Sequence, residues 1–459
     1  MQYYEEPVRR VPVREFDVVV AGGGTGGVVA ALAAARRGAR TCIVESKGYF
    51  GGLVVEGGTA LHSFFNLWKA FAGVEKRQVV KGIPQQIIDR LAAKGGTTGH
   101  AEMTEGYGYD SVCTAVDTEL YKLTAFEMLD EAGVTCLVNT FLNDAIVDDG
   151  MVRGVIVQSR SGREALMASS FIDCTGYGDL AAAAGAAFTE PNDHPVANSM
   201  GVGGVDIEKY HEFLRAHGAL SQYSEGLRGG REGRIVRLDA DMKRLPEAFR
   251  DEARSIGFSP VTTSTHDGYF MFIKLNHKMP QSPTSRDAVA EAELLLRQRQ
   301  AKAIELLRTH VPGCERAFIA RTSPSVCIRR GRRIECDYDL SLDEILEGRH
   351  FDDDIMAYGF HDCAPRLQIA NGGTYGIPYR ALLPRGIDNL YATGMMITSD
   401  WEAHMSTRNT VSCMGQGQAA GTAAALCAQR GCSSRDLPYA QLREALLEDG
   451  VVLEATRDG

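Results

Sequence analysis

The segment Phe16 to Ser46, FDVVVAGGGTGGVVAALAAARRGARTCIVES, constrains this chain more than any other. Phe16 to Ala21 is a β-branched, nearly uncharged run, the pattern of a parallel strand buried on both faces. Gly22, Gly24 and Gly27 then satisfy G-x-G-x-x-G. Gly22 permits a tight turn, Gly24 lets backbone approach a pyrophosphate, and Gly27 lets helix and strand pack closely. The helix predicted from about Gly26 to Arg37 aims its free N–H groups and positive dipole end at that anion, and Gly38 ends it. Arg40 to Val44 is the next strand. Glu45 stands at its end, 23 residues after Gly22, and an acid about 20 residues on suits ribose hydroxyls. The dinucleotide contacts expected here are Gly22, Gly24, Thr25, Gly26, Gly27, Glu45 and Ser46.

Val18 to Ala35 is also uncharged for eighteen residues, close to the shortest membrane span. Five glycines interrupt it, so strand, turn and helix is the better reading, and no membrane is expected. The chain has 459 residues, enough for two or three domains or for one large domain with an insertion. Its 50 glycines exceed the usual share of about 7%. The net charge of −10 leaves no broad basic surface, so nucleic acid is not an expected partner. The 11 cysteines are odd in number and include no CxxC pair. That argues against a disulfide scaffold, a zinc ribbon and a dithiol centre, and for reduced thiols in the cytoplasm. The N-terminus carries both signs of charge and no apolar run, unlike a signal peptide. No tight His/Asp/Glu cluster suggests a metal.

After Glu45 the chain reads SKGYFGG, with Gly51 and Gly52 just beyond the second strand. Further along, Asp117 to Ala132 reads as a helix with Leu120, Leu123 and Leu129 on one face. Val134 to Val138 is a strand. Phe141 to Val147, Met151 to Gln158 and Glu164 to Ala168 form a β-meander around an Asp149-Gly150 turn. The strand Phe171 to Cys174 then meets Thr175-Gly176, and Asp179 opens or caps a helix of small residues. In this order the chain resembles the FAD-dependent oxidoreductases related to fumarate reductase and succinate dehydrogenase flavoproteins. More narrowly, it resembles a bacterial FAD-dependent oxidoreductase family.

The resemblance implies an α/β fold: a Rossmann-like FAD-binding domain with parallel sheet and β-meander, and an inserted α+β cap. It places the FAD-binding domain in 12–66, 112–200 and 361–432, the cap in 67–111 and 201–360, and a helical tail in 433–459. It puts Gly51 and Gly52 near the pyrophosphate and ribityl chain. It puts Leu142, Thr175 and Gly176 at the adenine end, and Asp179 at the acid of a TGxGD pattern. Gly394, Met414 and Gly415 would approach the flavin, with a helix from Gly415 to Ala428 aimed at its pyrimidine. Met395 stands where relatives carry arginine or aspartate, so no side-chain contact carries over there. No histidine precedes the glycine pair, so the FAD is expected to be non-covalent. A single complete GxGxxG leaves no second dinucleotide domain.

In DWEAHMSTRN, His404 and Arg408 match the histidine and arginine that hold a substrate carboxylate in fumarate-reductase relatives. His404 is expected as anchor or acid, and Arg408 as clamp or proton donor. His62 and Asn66 in HSFFN, and His361 beside Asp362, are further substrate candidates. Arg329, Arg330, Arg332 and Arg333 form either a solvated basic turn or an anion-binding corner; relatives carry glutamate where Arg330 stands, which puts a structural ion pair there in doubt. The expected activity is hydride transfer between flavin N5 and a small polar, carboxylate-bearing substrate. The alternatives are a monooxygenase or oxidase using O2, and an FAD-carrying subunit of a larger redox complex. A separate electron donor or acceptor is required, and self-association is left open.

Overall fold

The computed structural model describes residues 3–57, 60–227, 234–259, 262–360, 367–397 and 399–454. At its centre lies a parallel sheet in the order Leu390–Ala392, Ser170–Asp173, Val18–Ala21, Thr41–Val44, Thr135–Leu137. Val18–Ala21 and Thr41–Val44 are buried at every position, as their uncharged runs require. The meander Phe141–Asp148, Met151–Ser159 and Gly162–Met167 lies beside this sheet and is extended by Val13–Glu15. Four helices matter for the site: α1 (Thr25–Arg36), α2 (Leu53–Gly57), α3 (Trp401–Thr407) and α4 (Thr410–Arg430).

Helices α1 and α4 pack backbone to backbone. A β-carbon on Gly417 would stand 2.2 Å from the Gly26 carbonyl oxygen, and one on Gly421 2.1 Å from that of Ala30. Only glycine permits this approach. The first turn is equally tight, since a β-carbon on Gly27 would stand 1.9 Å from the Gly22 carbonyl oxygen.

The cap holds two antiparallel sheets. One runs Phe258–Ser259, Tyr269–His277, Val196–Gly203, Phe318–Thr322. The other runs Thr262–Thr263, Ile235–Ala240, Leu220–Glu225, Ala101–Glu105, Val112–Ala115, Ala60–His62. Strand pairing therefore moves the domain limits. Ala60–His62, Val112–Ala115 and residues 196–200 of the strand Val196–Gly203, read from sequence as FAD domain, belong to cap sheets. Conversely, the helix Ile83–Ala93 and the segment 340–360 contribute Ile83, Ile87, Leu91, Ile345 and Ile355 to the main core. The tail helix Tyr439–Glu448 also packs into that core through Leu442 and Leu446. The helix Thr118–Glu131 is capped by Asp117 and buries Tyr121, Ala125, Met128 and Leu129, whereas Leu123 is exposed. Arg321 ties cap to cofactor domain, donating to the Val55 carbonyl at 2.8 Å and the Glu56 carbonyl at 2.9 Å.

Replacing Gly421 by alanine is expected to destabilise the protein by about 1–3 kcal/mol, the range for overpacking. Chemical denaturation checks this, and an unchanged midpoint would contradict the packing described.

Candidate functional site

The parallel sheet, α1 and α4 surround a cleft of about 380 Å³. Gly22, Gly24, Thr25, Gly26, Glu45, Ser46, Gly52, Leu142, Thr175, Gly176, Asp179 and Gly394 all line it, so one cavity gathers most of the residues singled out from sequence. Gly27 and Gly51 stand just behind: Gly27 closes the turn, and the Gly51 N–H donates to the Gly23 carbonyl at 2.9 Å. The N-terminus of α1 has no side-chain cap and no acid in its first turn. Its N–H groups are thus left to an anionic ligand. Gly24 precedes this turn, and a β-carbon there would meet nothing within 4 Å, so it faces open cleft. Glu45 is set by the Gly23 N–H at 2.7 Å and the Lys47 N–H at 2.8 Å.

The turn after Ser170–Asp173 is organised by Asp173, a residue that sequence reasoning missed. Asp173 has no exposed surface. It accepts from the Thr175 N–H at 3.0 Å, the Thr175 hydroxyl at 2.7 Å and the Ala181 N–H at 2.9 Å. Burial pushes its carboxyl up to about 6 against these donors. Asp179 is not the N-cap of its short helix, because Gly178 holds that place. Its carboxylate instead takes Arg332 at 2.8 Å.

A second cavity, about 530 Å³, adjoins the first. Leu53, Ile328, Met395, Arg408 and Thr410 line both. Among the described residues its charged walls are Arg237, Lys274, Arg329 and Arg408 with the acid Asp239, and His62 and His194 stand beside them. Burial raises the Asp239 carboxyl, which weakens its negative charge. His194 stacks on Trp401 at 5.5 Å between centroids, and burial pushes it down to about 4. The N-terminus of α4 meets the seam of the two cavities at Thr410. The Asn409 amide turns back to the Met405 and Ser406 carbonyls at 3.0 and 3.1 Å and leaves that end without a side-chain cap.

Several expectations change. The helix expected from Gly415 begins at Thr410, so Thr410 and Cys413 reach the cleft. Met414 is fully buried, and Gly415 faces Met356 rather than the cleft. His404 has no exposed surface and lies behind the wall. Its Nε2 donates to the Arg329 carbonyl at 2.9 Å, and burial together with Arg330 and Arg408 holds it well below the usual imidazole range. It supports Arg329 and does not reach substrate as anchor or acid. Asn66 is likewise fully buried, its amide spent on the Glu75 carbonyl at 2.9 Å and the Arg77 N–H at 3.1 Å. His361 and Asp362 lie outside the described residues. The arginine cluster is no solvated turn: Arg330 is buried against Asp193 at 3.0 Å, and Arg333 pairs with Asp339. Of the four, only Arg329 lines the second cavity.

Residues 17–446 match the family model described as FAD dependent oxidoreductase. The chain belongs to that family. Its fold is also that of a geranylgeranyl bacteriochlorophyll reductase-like protein from Thermoplasma acidophilum. That match has a TM-score of 0.51 and 14% identity over 96% of this chain and 84% of that one. Looser matches include OxyS anhydrotetracycline hydroxylase from Streptomyces rimosus, with a TM-score of 0.47 and 11% identity over 95% of this chain and 66% of that one. Another is p-nitrophenol 4-monooxygenase from Pseudomonas putida, with a TM-score of 0.44 and 14% identity over 95% and 87%. No curated protein sequence matches the chain.

The flavoenzyme's residues fit FAD. The uncapped α1 N-terminus and Gly24 suit its pyrophosphate, Glu45 the adenosine ribose, and the second uncapped helix N-terminus at Thr410 the electron-rich end of its ring. Phe141, exposed and lining the cleft beside Leu142, offers an aromatic face at the adenine end that sequence reasoning did not single out. Among the described residues no group of His, Cys, Asp and Glu forms a metal site, every cysteine is free, and no helix is long and apolar enough to cross a membrane.

Gly24→Val should fold as the parent does yet lose FAD, because its side chain enters only the cleft. Thermal unfolding of the apo-proteins and FAD titration separate the two effects. The Asp173 carboxyl is raised on folding, so ionising it costs the folded state. Its contribution is fullest below pH about 4 and is lost as pH rises through about 6. Asp173→Asn should remove that slope. A melting-temperature difference between parent and variant that stays flat from acid to neutral pH would contradict this.

Proposed function

We propose that this FAD-dependent oxidoreductase acts on a small organic acid whose carboxylate is held by Arg408 and Arg329. The observation that carries the reading is the position of Arg408, which lines both the cofactor cleft and the cationic second cavity. A group held by Arg408 therefore borders the cofactor. FAD, when bound, supplies the two-electron acceptor or donor at N5 of its ring.

The chain supplies the rest. A guanidinium offers the planar fork that matches a carboxylate. Arg329 is pre-positioned: it donates to the Pro195 carbonyl at 2.7 Å and to Asn276 Oδ1 at 3.1 Å, while His404 holds its backbone carbonyl. The uncapped N-terminus of α4 adds positive potential at the seam. Met395 and Trp401 present apolar surface there and limit water. The relation to fumarate-reductase flavoproteins is supported by the place of DWEAHMSTRN between the last sheet strand and α4. Within it the roles divide, with Arg408 on substrate and His404 as a positioning residue.

Anaerobic bleaching of the flavin by glycolate, lactate, malate and succinate tests the reading, with fumarate offered to the dithionite-reduced protein. Arg408→Ala should retain FAD and lose about a hundredfold in kcat/KM, the equivalent of one charge-assisted hydrogen bond of up to about 3 kcal/mol. Unchanged kinetics would sink the assignment, and substrate-dependent oxygen uptake by the reduced protein would favour an oxygenase.

A further inference from the structure

The second cavity is larger and more aromatic than a carboxylate alone requires. Its volume is about 530 Å³. That equals roughly 18 waters at about 30 Å³ each, and it lies in the range of about 300–1,000 Å³ that takes drug-sized ligands. Three segments far apart in the sequence each bring a ring to it. Tyr109 precedes the cap strand Val112–Ala115, Phe272 lies within the strand Tyr269–His277, and Trp401 opens α3. Met395 and Met405 add flexible, polarisable thioethers. None of these five side chains is buried, and Trp401 is 47% exposed. Rings that served only the core would be covered by the chain itself, as Phe50, Tyr358 and Phe360 are.

Each ring is held from one side by the chain. Trp401 stacks on His194, 10° from parallel. Tyr109 stands edge-on to Phe360 at 5.4 Å and to His62 at 5.6 Å between centroids. Arg237 lies 5.7 Å from the Tyr109 centroid and Lys274 Nζ 5.6 Å from that of Phe272, both cation–π contacts. His62 and Arg237 spend their polar atoms within the chain. His62 Nδ1 lies 3.0 Å from Asp110 Oδ2 and its Nε2 3.3 Å from Arg237 Nη1, while Gln222 accepts the Arg237 Nε–H at 2.8 Å. What this wall offers a ligand is thus aromatic surface already fixed in place, which lowers the ordering cost of binding. Rings pair edge-to-face or offset with other rings, and thioethers favour ring edges, so an aryl group suits this lining.

We propose that the substrate is an aromatic acid: its ring lies among Tyr109, Phe272 and Trp401, and a short linker carries its carboxylate to Arg329 and Arg408. This rests on the preceding reading, which places the carboxylate, and adds the body of the molecule. Leu53, Ile328 and Met395 line both cavities together with Arg408. Apolar surface therefore continues from the ring site to the cofactor cleft, and the linker borders that cleft. Trp401 and Arg408 stand at opposite ends of α3, so one element fixes the distance between ring site and carboxylate site.

Calorimetric titration of the FAD-loaded protein with phenylpropionate, propionate and hexanoate tests this. Phenylpropionate should bind about 10–100-fold tighter than propionate, the yield of burying one ring, and tighter than hexanoate. Phe272→Ala and, at a more exposed position, Trp401→Leu should each weaken phenylpropionate about 3–10-fold and leave propionate unchanged. Thermal unfolding checks that each variant is folded. Phenylpropionate bound no tighter than propionate, or hexanoate bound as tightly as phenylpropionate, overturns the proposal, as does parent affinity in either folded variant. These outcomes leave the carboxylate clamp standing. Phenylpropionate affinity that survives Arg408→Ala but falls in Phe272→Ala overturns the clamp and keeps the aromatic site. Binding of none of the acids overturns both.

Discussion

The contact between α1 and α4 sets the geometry of everything else. These helices approach until the carbonyl oxygens of Gly26 and Ala30 fill the space that β-carbons on Gly417 and Gly421 would take. At that distance both N-termini open onto one cleft. One delivers Gly24 and Thr25, and the other Thr410 and Cys413. Two positive helix ends converging on a single cavity make a site for a ligand with anionic character along its length. Larger residues at the crossing would separate the helices and divide the cleft. The glycine excess of the composition is in part the signature of this crossing.

The second cavity takes its character from desolvation and from the arginines around it. His194 and His404 are held neutral by burial beside Arg329, Arg330 and Arg408. Asp239, on the same wall, is raised by burial. Among the described residues the lining of this cavity thus holds more cationic than acidic side chains, which favours a small anion. Arg330, by contrast, satisfies itself with Asp193 and the Ser399 carbonyl at 3.2 Å, and so braces the wall.

What could be read from sequence was local. The first strand, turn, helix and second strand follow from residues within one stretch, and the meander from alternation around a DG turn. Both stand where expected. The start of α4 was displaced because Thr410, Val411 and Ser412 are weak helix formers, and their helicity comes from packing. His404 and Arg408 are four residues apart, yet α3 ends between them: His404 faces the core, and Arg408, at the C-cap, turns to the cavities. The His62 arrangement was illegible because its partners are 48 and 175 residues distant and meet only through sheet pairing. Arg330 and Asp193, 137 residues apart, were hidden for the same reason. The sheet that carries His62 also draws Ala60–His62 and Val112–Ala115 out of the cofactor domain, which no composition shift signals.

The central claim is that the cofactor cleft and the cationic cavity are one site joined at Arg408. Titrating the FAD-loaded protein with oxalate while recording the visible flavin spectrum tests it most directly. The account predicts a saturable perturbation of the flavin bands that Arg408→Ala abolishes. A flavin spectrum indifferent to oxalate, or a perturbation that survives in Arg408→Ala, would contradict it.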